Sequence, residues 1–303
     1  MTDGNAKMKE KGKGNQETMK KNVLDRNIMN RYQKYLYGEE RSEATIKKYM
    51  RDIEHFYEYL PAAKVVTKEL LVAYKRSLTD IYKVSSINSM LVALNGLLSY
   101  MGVGHLKLKL LKVQKKVFHM EDRELKKAEY KRLLETALKK DNKRLYMLIQ
   151  TICGTGIRVS EHRFITVESL KEGQVMVSNK GKSRIIFIQK KLRRLLLEYC
   201  REAKIERGSI FITKNGRPMD RSNIWSAMKQ LCEEAGVERR KVFPHNLRHL
   251  FAYTYYGLYK DVVRLADILG HSSIETTRIY TMSSGQECQR SLMRMGLVDL
   301  IKT

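Results

Sequence analysis

The hydrophobic pattern of this chain changes at one place, and that change constrains the architecture more than any other feature. Residues 105–119 (HLKLKLLKVQKKVFH) contain five lysines and no acidic residue, and lysine alternates with leucine in their first half. On both sides, apolar residues recur three and four positions apart, as on the buried face of a helix. Alternation with a period of two favours an extended segment instead. The sequence therefore predicts two largely helical domains joined by a basic linker, which we place at residues 105–124.

The first helical block predicts a compact domain at residues 23–104. Lys and Arg recur on the polar faces of its helices, so one side of the domain is expected to be basic. Pro61 is expected to end the second helix, because proline cannot continue one, and Thr67 is a suitable N-cap for the third. The predicted helices lie at about residues 25–37, 43–59, 67–78 and 85–101.

The second block, at residues 125–303, combines helices with a small sheet. Gln174–Asn179 and Arg184–Ile188 are strand-like runs on either side of the Lys180–Ser183 turn, so they predict an antiparallel hairpin. Ser209–Thr213 is a candidate third strand. Glycines mark the expected ends of three later helices. The predicted helices are 127–139, 143–153, 221–235 (capped by Asp220 and ended by Gly236), 245–256 (ended by Gly257) and 261–269 (ended by Gly270). The predicted fold class is α+β, mainly α with a small antiparallel sheet.

The charge balance narrows the choice of partner. Lys plus Arg number 59 against 33 Asp plus Glu, a formal net charge of +26, and 43% of the residues are hydrophobic, which is enough for a real core. Such a surface attracts polyanions, nucleic acid first and an anionic membrane surface second. No run approaches the roughly 20 apolar residues of a membrane span, and the first 22 residues lack the apolar segment of a secretory signal. We expect a cytoplasmic, polyanion-binding protein with no membrane partner.

Neither a disulfide framework nor a metal site is expected. The four cysteines are scattered without any CxxC pair. His245 and His249 lie four residues apart, a zinc-like spacing, but no glutamate separates them and no third ligand is in sight. We therefore predict no metal and no cofactor. The cysteines are Cys153, Cys200, Cys232 and Cys288.

Two basic segments each admit two interpretations. Residues 1–22 are polar and contain glycine, which is typical of a mobile tail. They are either a solvated extension or an arm that contacts phosphates. The linker is consistent both with a solvated connection and with a segment that lies along a phosphate backbone. Its candidate phosphate contacts are Lys107, Lys109, Lys112, Lys115 and Lys116.

Six residues of the second domain form an ordered set, although each taken singly has an ordinary explanation as a surface charge, a helix-end histidine or a packed tyrosine. They are Arg158 in GTGIRVSE, Lys180 in NKGKSR, His245 and Arg248 in HNLRH, His271 in LGHSS and Tyr280 in TTRIYT. Together with the sequence around them, above all LGHSSIETTRIYT, they resemble the tyrosine recombinase family, which includes phage-type integrases and bacterial dimer-resolving recombinases. The resemblance is detailed from about residue 125 to 303 and looser over about 24–101.

The resemblance implies a two-domain clamp around double-stranded DNA, formed by a helical core-binding domain and a catalytic domain. It implies that strands are cut and rejoined through a 3′-phosphotyrosyl bond and a Holliday junction. In this scheme Tyr280 is the nucleophile, His245 the general base and Lys180 the general acid. No metal or ATP is required, because the phosphotyrosyl bond conserves the energy of the broken ester.

The remaining site residues would surround the phosphate. Guanidinium groups suit this role because their fixed, paired donors match the non-bridging oxygens. The resemblance assigns phosphate binding to Arg158, Arg248 and His271, and assigns Glu161 to supporting Arg158. We further predict DNA phosphate contacts from Lys182 and Arg184, which follow the hairpin turn.

The end of the chain bears on assembly. Gln286–Ile301 (QECQRSLMRMGLVDLI) is largely apolar. In relatives a C-terminal helix packs into the neighbouring protomer, so the resemblance implies a homotetramer on two DNA sites; an intramolecular helix is the alternative. A topoisomerase of the same chemistry and an inactive DNA-binding regulator are the other functions considered. The target sequence, the direction of recombination (integration, excision, inversion or dimer resolution) and the need for accessory DNA-bending or excision factors stay open.

Overall fold

A computed structural model of the chain describes residues 22–112, 123–179, 182–280, 289 and 293–295. It divides after Lys115 into two compact units. Both are mainly helical, and the described residues contain one sheet, a two-stranded antiparallel hairpin. The predicted fold class is therefore confirmed. The predicted tail at residues 1–22 lies almost wholly outside the described residues.

The first unit is built from four helices whose N-termini are set by local sequence. Asp25, Ser42 and Thr67 each accept a hydrogen bond from a first-turn backbone N–H, as N-cap residues do. The second helix ends at Tyr59, two residues before Pro61, as predicted. The helices are α1 (Arg26–Gly38), α2 (Glu43–Tyr59), α3 (Lys68–Thr79) and α4 (Val84–Tyr100).

The first half of the lysine–leucine segment packs against this unit. Leu106 and Leu108 are buried in its core, whereas Lys107, Lys109 and Lys112 are exposed. The alternation of lysine and leucine thus sorts the side chains between solvent and core. The packing of these residues extends the first unit beyond the predicted domain end at residue 104.

Two asparagines of α4 hold the backbone of this segment. Asn95 accepts from the Leu108 N–H and donates to the Leu108 carbonyl, both at 2.9 Å. Asn88 pairs in the same way with Leu111, at 2.8 and 2.9 Å. The distance between Asn88 and Asn95, about two turns along α4, is roughly 10 Å. The distance between Leu108 and Leu111 in an extended segment is also roughly 10 Å, so both pairs can bond at once. We call this arrangement the asparagine clamp.

Lysines of α3 complete the attachment. Lys68 Nζ donates to the carbonyls of Leu106 and Lys107, at 2.9 and 2.6 Å. Lys75 Nζ donates to the carbonyl of Lys109 at 2.6 Å. These two lysines are engaged with the backbone, so the exposed lysines of the segment itself are the ones that face solvent.

Removing the asparagine clamp is expected to release the segment. Asn88→Ala combined with Asn95→Ala eliminates four hydrogen bonds, each worth about 1 kcal/mol. Trypsin needs a locally unfolded chain, so its cleavage after Lys107 and Lys109 is expected to accelerate at least tenfold, on the order of what 1.4 kcal/mol supplies. Peptide mass analysis over time measures this. Ser99→Ala, on the exposed side of α4, is the control, and equal digestion of all three proteins would contradict the clamp.

The second unit matches most of the predicted elements. The hairpin pairs Gln174 with Phe187 and Asn179 with Lys182, and the turn between them lies outside the described residues. Asp220 caps its helix as predicted. The elements are α5 (Lys127–Lys139), α6 (Lys143–Thr155), α7 (Val167–Glu172), β1 (Gln174–Asn179), β2 (Lys182–Phe187), α8 (Lys190–Glu202), α9 (Arg221–Gln230), α10 (Pro244–Tyr259), α11 (Val262–Leu269) and α12 (Ile274–Thr277).

Three predicted boundaries differ from the structure. The helix after Asp220 ends at Gln230 and continues as turns to Gly236. Helix α10 passes through Gly257 and ends before Lys260, whose φ of +54° terminates it. Ser209–Thr213 is not a sheet strand, because Ser209 and Ile212 form only isolated bridges. At α10 the helix ends at a non-glycine residue in the left-handed conformation, so Gly257 does not by itself set the boundary.

Helix α6 organises the second unit. It packs against α5, α8 and α10, and its buried residues include Leu148, Ile149 and Ile152. Helix α10 in turn packs against α11. The end of α6, the face of α10 and the end of α11 therefore meet in one region. Within the described part of the chain, no helix is both long enough and apolar enough to span a membrane.

Candidate active site

The GTGIR motif works by ending α6 abruptly. Gly156 has a φ of +67°, a left-handed conformation that favours glycine, and a Cβ there would lie 2.5 Å from Cδ1 of Phe251. The chain then turns so that Arg158 precedes a short 3-10 helix, Val159–Phe164. The glycine thus directs Arg158 out of the end of a buried helix.

Arg248 lies on α10 and is only 1% exposed. Its guanidinium donates to the carbonyl oxygens of Gly156 and Leu269, both at 2.6 Å. Burial, together with the nearby charges of Arg158 and Arg184, lowers the pKa of Arg248 to about 10, so it is still protonated at neutral pH. A buried cation held by carbonyls is a preorganised anion-binding group.

Arg158 is held in a reciprocal way. Its Nη2 donates to the carbonyl of Gly270 at 2.9 Å, and Gly270 is the left-handed residue, φ +63°, that ends α11 in the LGHSS motif. Its Nη1 donates to Glu161 Oε1 at 2.9 Å, and its backbone N–H donates to Glu161 Oε2 at 2.8 Å. Arg158 is therefore bonded to the carbonyl of Gly270 in the LGHSS motif, and Arg248 to the carbonyl of Gly156 in the GTGIRVSE motif.

Glu161 is the buried anion of this region. Burial by itself would raise the pKa of Glu161, but hydrogen bonds from Arg158 and the charge of Arg184 hold it below its usual value. The structure thus brings Glu161 into contact with Arg158, where the sequence predicted a supporting residue. The carboxylate is ionised at neutral pH and restrains the Arg158 side chain, which is 35% exposed.

His271 follows Gly270 and touches Arg248. Arg248 Nη2 lies 3.0 Å from His271 Nε2, and Thr277 Oγ1 lies 2.8 Å from His271 Nδ1. Arginine can only donate, so Nε2 accepts, and Nδ1 carries the proton and donates a hydrogen bond to Thr277 Oγ1. Burial and the charge of Arg248 lower the pKa of His271 to about 4. The imidazole is therefore neutral at physiological pH.

His245 stands in the first turn of α10, after Pro244 at the helix start. Its ring centroid is 4.4 Å from that of His249. Desolvation, then His249 and Arg248, lower the pKa of His245 to about 4, although its side chain reaches the surface. A neutral, accessible imidazole is able to accept a proton.

Tyr280 ends the described part of this region and is 3% exposed. Its ring packs edge-on against His249 and Tyr253, with centroids 5.2 Å away in each case, and lies 6.5 Å from the ring of His271. Burial raises the pKa of Tyr280 to about 12, while the charges of Arg248 and Arg158 oppose that rise. Ionising this phenol therefore requires a base or a further positive charge.

The structure adds one residue that sequence reasoning missed. Glu124 Oε1 lies 3.3 Å from His249 Nδ1, so a carboxylate reaches the layer of rings behind Tyr280. The two residues are 125 positions apart. No local pattern signals such a pair, since only the fold brings them together.

The predicted set is brought together in large part. Arg158, Glu161, His245, Arg248, His271 and Tyr280 lie in one region of the second unit. Lys180, Lys115 and Lys116 lie outside the described residues, and only the backbone of Lys182 is described. The Arg184 side chain is 13% exposed and pairs with Glu161. Among the described residues, no cluster of His, Cys, Asp or Glu is arranged to hold a metal.

Comparison with known proteins decides the family. A sequence profile of the phage integrase family matches residues 123–287, more than half of the chain. The chain belongs to the phage integrase family. A second profile, the phage integrase N-terminal SAM-like domain, matches residues 29–101. The resemblance to tyrosine recombinases is confirmed, and with it the assignment as an enzyme that transfers DNA strands.

Individual relatives agree with this family. Tyrosine recombinase XerA of Pyrococcus furiosus is 27% identical over 292 residues, 93% of this chain and 98% of that protein. Tyrosine recombinase XerH of Campylobacter jejuni is 34% identical over 167 residues, 52% of this chain and 47% of that protein. Among solved structures, a lambda integrase tetramer bound to a Holliday junction matches 84% of this chain and 76% of that chain, with a TM-score of 0.68 and 18% identity. At that identity the match supports the fold.

Mild acid is expected to destabilise the second unit through His271. The pKa of His271 is lowered to about 4 in the folded chain, from its ordinary 6.5. Between these values the unfolded chain binds a proton that the folded chain does not, so stability declines as the pH falls from about 6.5 towards 4. After allowance for solvent screening, we expect a loss of about 1 kcal/mol by pH 5.

Urea unfolding followed by the fluorescence of Trp225, the single tryptophan, measures this loss at pH 7 and pH 5. His271→Gln is expected to reduce the difference between the two pH values. His105→Gln, in the first unit, is the control. An unchanged pH dependence in His271→Gln would show that other groups cause the acid sensitivity.

Proposed function

We propose that this enzyme is a site-specific recombinase that cleaves and rejoins DNA through a 3′-phosphotyrosyl intermediate and a Holliday junction. The observation that carries the proposal is the meeting of two restrained arginines, two neutral histidines and a tyrosine in one region. These are the groups that phosphodiester transfer to a phenol needs. The lambda integrase structure with the same fold, bound to a Holliday junction, supports the junction intermediate.

Arg158 and Arg248 bind the scissile phosphate in this proposal. His271 joins them when its Nε2 carries the proton and donates to the phosphate in place of its contact with Arg248. In-line attack produces a pentacoordinate transition state with more charge on the non-bridging oxygens than the ground state has. Arg248 uses three of its five N–H groups for protein contacts, which leaves donors for those oxygens. Each preorganised donor is worth about 3 kcal/mol of barrier.

Tyr280 attacks the phosphorus, and His245 accepts the phenolic proton. His245 is neutral at physiological pH and able to accept a proton, and the negative charge of a bound phosphate would raise its low pKa towards the range of a general base. The charges of Arg248 and Arg158 partly offset the rise that burial causes in the pKa of Tyr280, and an approaching base completes its ionisation. Because Tyr280 is 3% exposed, its hydroxyl becomes accessible only when the region around it rearranges on DNA.

Lys180 protonates the 5′-hydroxyl that leaves. Lys180 lies outside the described residues, and in the sequence it follows Asn179, which pairs with Lys182 where β1 ends and β2 begins. A second 5′-hydroxyl then attacks the phosphotyrosyl bond and releases Tyr280. Since that bond retains the energy of the original ester, the reaction needs neither ATP nor a metal. The protein acts on DNA in the cytoplasm.

The two units together form the proposed DNA clamp. In this proposal the core-binding domain spans residues 23–104, the basic linker 105–124 begins with residues that pack on that domain, and the catalytic domain spans 125–303. Exposed Lys107, Lys109 and Lys112 are presented in a defined register by the asparagine clamp and the lysines of α3, which favours phosphate contact over a free linker. The basic tail at residues 1–22 stays open as an arm or an extension.

These lysines are expected to set affinity without reading sequence. Changing Lys107, Lys109 and Lys112 together to glutamine is expected to reduce the slope of log affinity against log salt by about 2–3, since each lost phosphate contact removes roughly 0.9. Fluorescence anisotropy with duplex DNA at several salt concentrations measures the slope. Substituting three exposed lysines of α5 (Lys127, Lys131 and Lys139) removes the same charge, and an equal effect there would show that net charge alone matters.

The proposed assembly is a homotetramer on two DNA sites. Residues 286–301, the proposed exchange helix, lie outside the described residues apart from 289 and 293–295. The lambda integrase of the same fold is a tetramer in its complex with a Holliday junction. Because Tyr280 and this segment are adjacent in the chain, exchange of the segment would couple subunit contact to the position of the nucleophile. Accessory DNA-bending or excision factors stay a further expectation.

The decisive experiment starts by mapping the DNA sequence that the protein binds. A duplex carrying that site, nicked just 3′ of the scissile phosphate so that the 5′-hydroxyl fragment diffuses away, should trap a denaturation-resistant adduct. Peptide analysis should locate the DNA on Tyr280. Normal binding without any adduct would instead support the inactive regulator. Relaxation of supercoiled DNA that lacks the site would support the topoisomerase.

A further inference from the structure

Arg184 connects the parts of the active site although it was expected to contact DNA. It lies on β2, which begins two residues after Lys180 in the sequence. Its Nη2 pairs with Glu161 Oε2 at 2.5 Å, and its Nη1 donates to the carbonyl of Ile268, in the last turn of α11. The Arg184 side chain thus links β2 to Glu161, which holds Arg158, and to the end of α11, which precedes His271.

The packing around Arg184 is tight. A Cβ on Gly270 would lie 2.5 Å from Cδ and 2.8 Å from Nε of Arg184. The carbonyl of that same glycine holds Arg158. Gly270 therefore has two separate requirements, a left-handed backbone and room for the Arg184 side chain. The arginine is enclosed between Glu161 and the α11 terminus, and 13% of its side chain stays exposed.

Charge explains why an arginine is needed here. Glu161 is a buried carboxylate that contacts both Arg158 and Arg184. The three groups together carry one net positive charge. Without Arg184, Glu161 would neutralise Arg158, and the phosphate would meet an ion pair in place of a cation.

We propose that Arg184 is a positioning residue for catalysis: it shares the charge of Glu161, so that Arg158 is both held in place and left cationic for the phosphate. This inference rests on the proposed function, since it concerns the same phosphoryl transfer. It is an alternative to the direct phosphate contact that the sequence predicts at this position. Arg184 acts through Glu161 and Arg158 and is not itself a phosphate ligand.

Charge restoration is the test, because a merely structural role would not show it. Arg184→Met is expected to slow single-turnover cleavage of the nicked substrate about 100-fold, with DNA affinity within threefold of wild type. Adding Glu161→Gln to Arg184→Met restores the net charge of +1, and we expect at least a tenfold recovery of the rate. Arg184→Lys keeps the charge but not the two-sided contact, and we expect a loss of about tenfold.

Arg193 offers a matched control. It donates to the carbonyl of Lys171, and its guanidinium packs against Gly173, which also has a left-handed backbone. Like Arg184, it packs beside a left-handed glycine and donates to a backbone carbonyl, but its bonds do not involve the proposed catalytic residues. Arg193→Met is expected to cleave within threefold of wild type.

The outcomes separate this inference from the proposed function. If wild type forms no adduct, the proposed function fails. If wild type cleaves and Arg184→Met cleaves equally fast, or the double variant is as slow as the product of the single effects, the positioning role is wrong. If Arg184→Met loses affinity and cleavage in parallel, Arg184 contacts DNA as first expected. Thermal melting identifies any variant that does not fold. If Arg184→Met does not fold, Arg184→Lys is measured in its place, with and without Glu161→Gln. Slow cleavage by the Lys variant supports the positioning role, and cleavage at the wild-type rate overturns it.

Discussion

Replacing Tyr280 by phenylalanine is expected to abolish the covalent protein–DNA adduct, with a loss of cleavage of at least about 10⁴-fold. The ring of Tyr280 packs beside those of both His271 and His249, and its hydroxyl is the proposed nucleophile. Phenylalanine preserves the ring contacts, so the fold and DNA affinity should be retained. Denaturing electrophoresis of the nicked substrate after incubation measures the adduct directly.

Tyr253→Phe is the matched control for this experiment. Its ring touches the Tyr280 ring, and its hydroxyl donates to the carbonyl of Ile279 at 3.2 Å. Burial raises the pKa of Tyr253 well above its usual value, which makes it a poor nucleophile. Adduct formation is expected to persist in Tyr253→Phe. An adduct that survives in Tyr280→Phe would disprove the assignment of the nucleophile.

The second large effect is expected at Arg248. Arg248→Lys retains a positive charge, but a single ammonium cannot bond Gly156, Leu269 and His271 while also presenting fixed donors to a phosphate. We expect single-turnover cleavage to fall about 100- to 1000-fold, the range for losing a preorganised donor. Affinity for the DNA site should change little, because many other cations contribute to it.

Arg264→Lys, an exposed position on α11, is the control for Arg248→Lys. Equal losses of affinity and cleavage in Arg248→Lys would make Arg248 a docking residue. Stability is measured in parallel, since two buried carbonyls lose partners and each unsatisfied group costs about 1–3 kcal/mol. A cleavage defect that disappears when stability is restored at low temperature would assign a structural role.

The elements that could be predicted are those whose signals are local. The caps Asp220 and Thr67 act within three residues of themselves, and the end of α11 at Gly270 follows from backbone conformation. Gly257 does not end α10 as predicted. The helix continues for two more residues, and Lys260 follows it in the left-handed conformation, although lysine lacks the conformational freedom of glycine. Tertiary packing can therefore extend or shorten an element by more than a local preference.

The candidate site shows the same division. The order and surroundings of Arg158, His245, Arg248, His271 and Tyr280 were sufficient to predict the family, because each motif is contiguous in the chain. The partners of these residues were not predictable. Glu124 reaches the ring layer across 125 positions, and Arg184 reaches the Ile268 carbonyl across 84. Such contacts depend on how helices pack, which residue spacing does not encode.

The sequence by itself determined the helical character, the net positive charge and the family, and it predicted a set of catalytic residues. Tertiary structure alone decided how those residues are held. The carbonyls of two left-handed glycines, Gly156 and Gly270, each accept a hydrogen bond from an arginine of a different motif. Arg184, for which the sequence predicts a DNA contact, pairs with Glu161. The physical reason is burial: a charge removed from water must find partners, and only the folded chain shows which carbonyls and carboxylates are within reach.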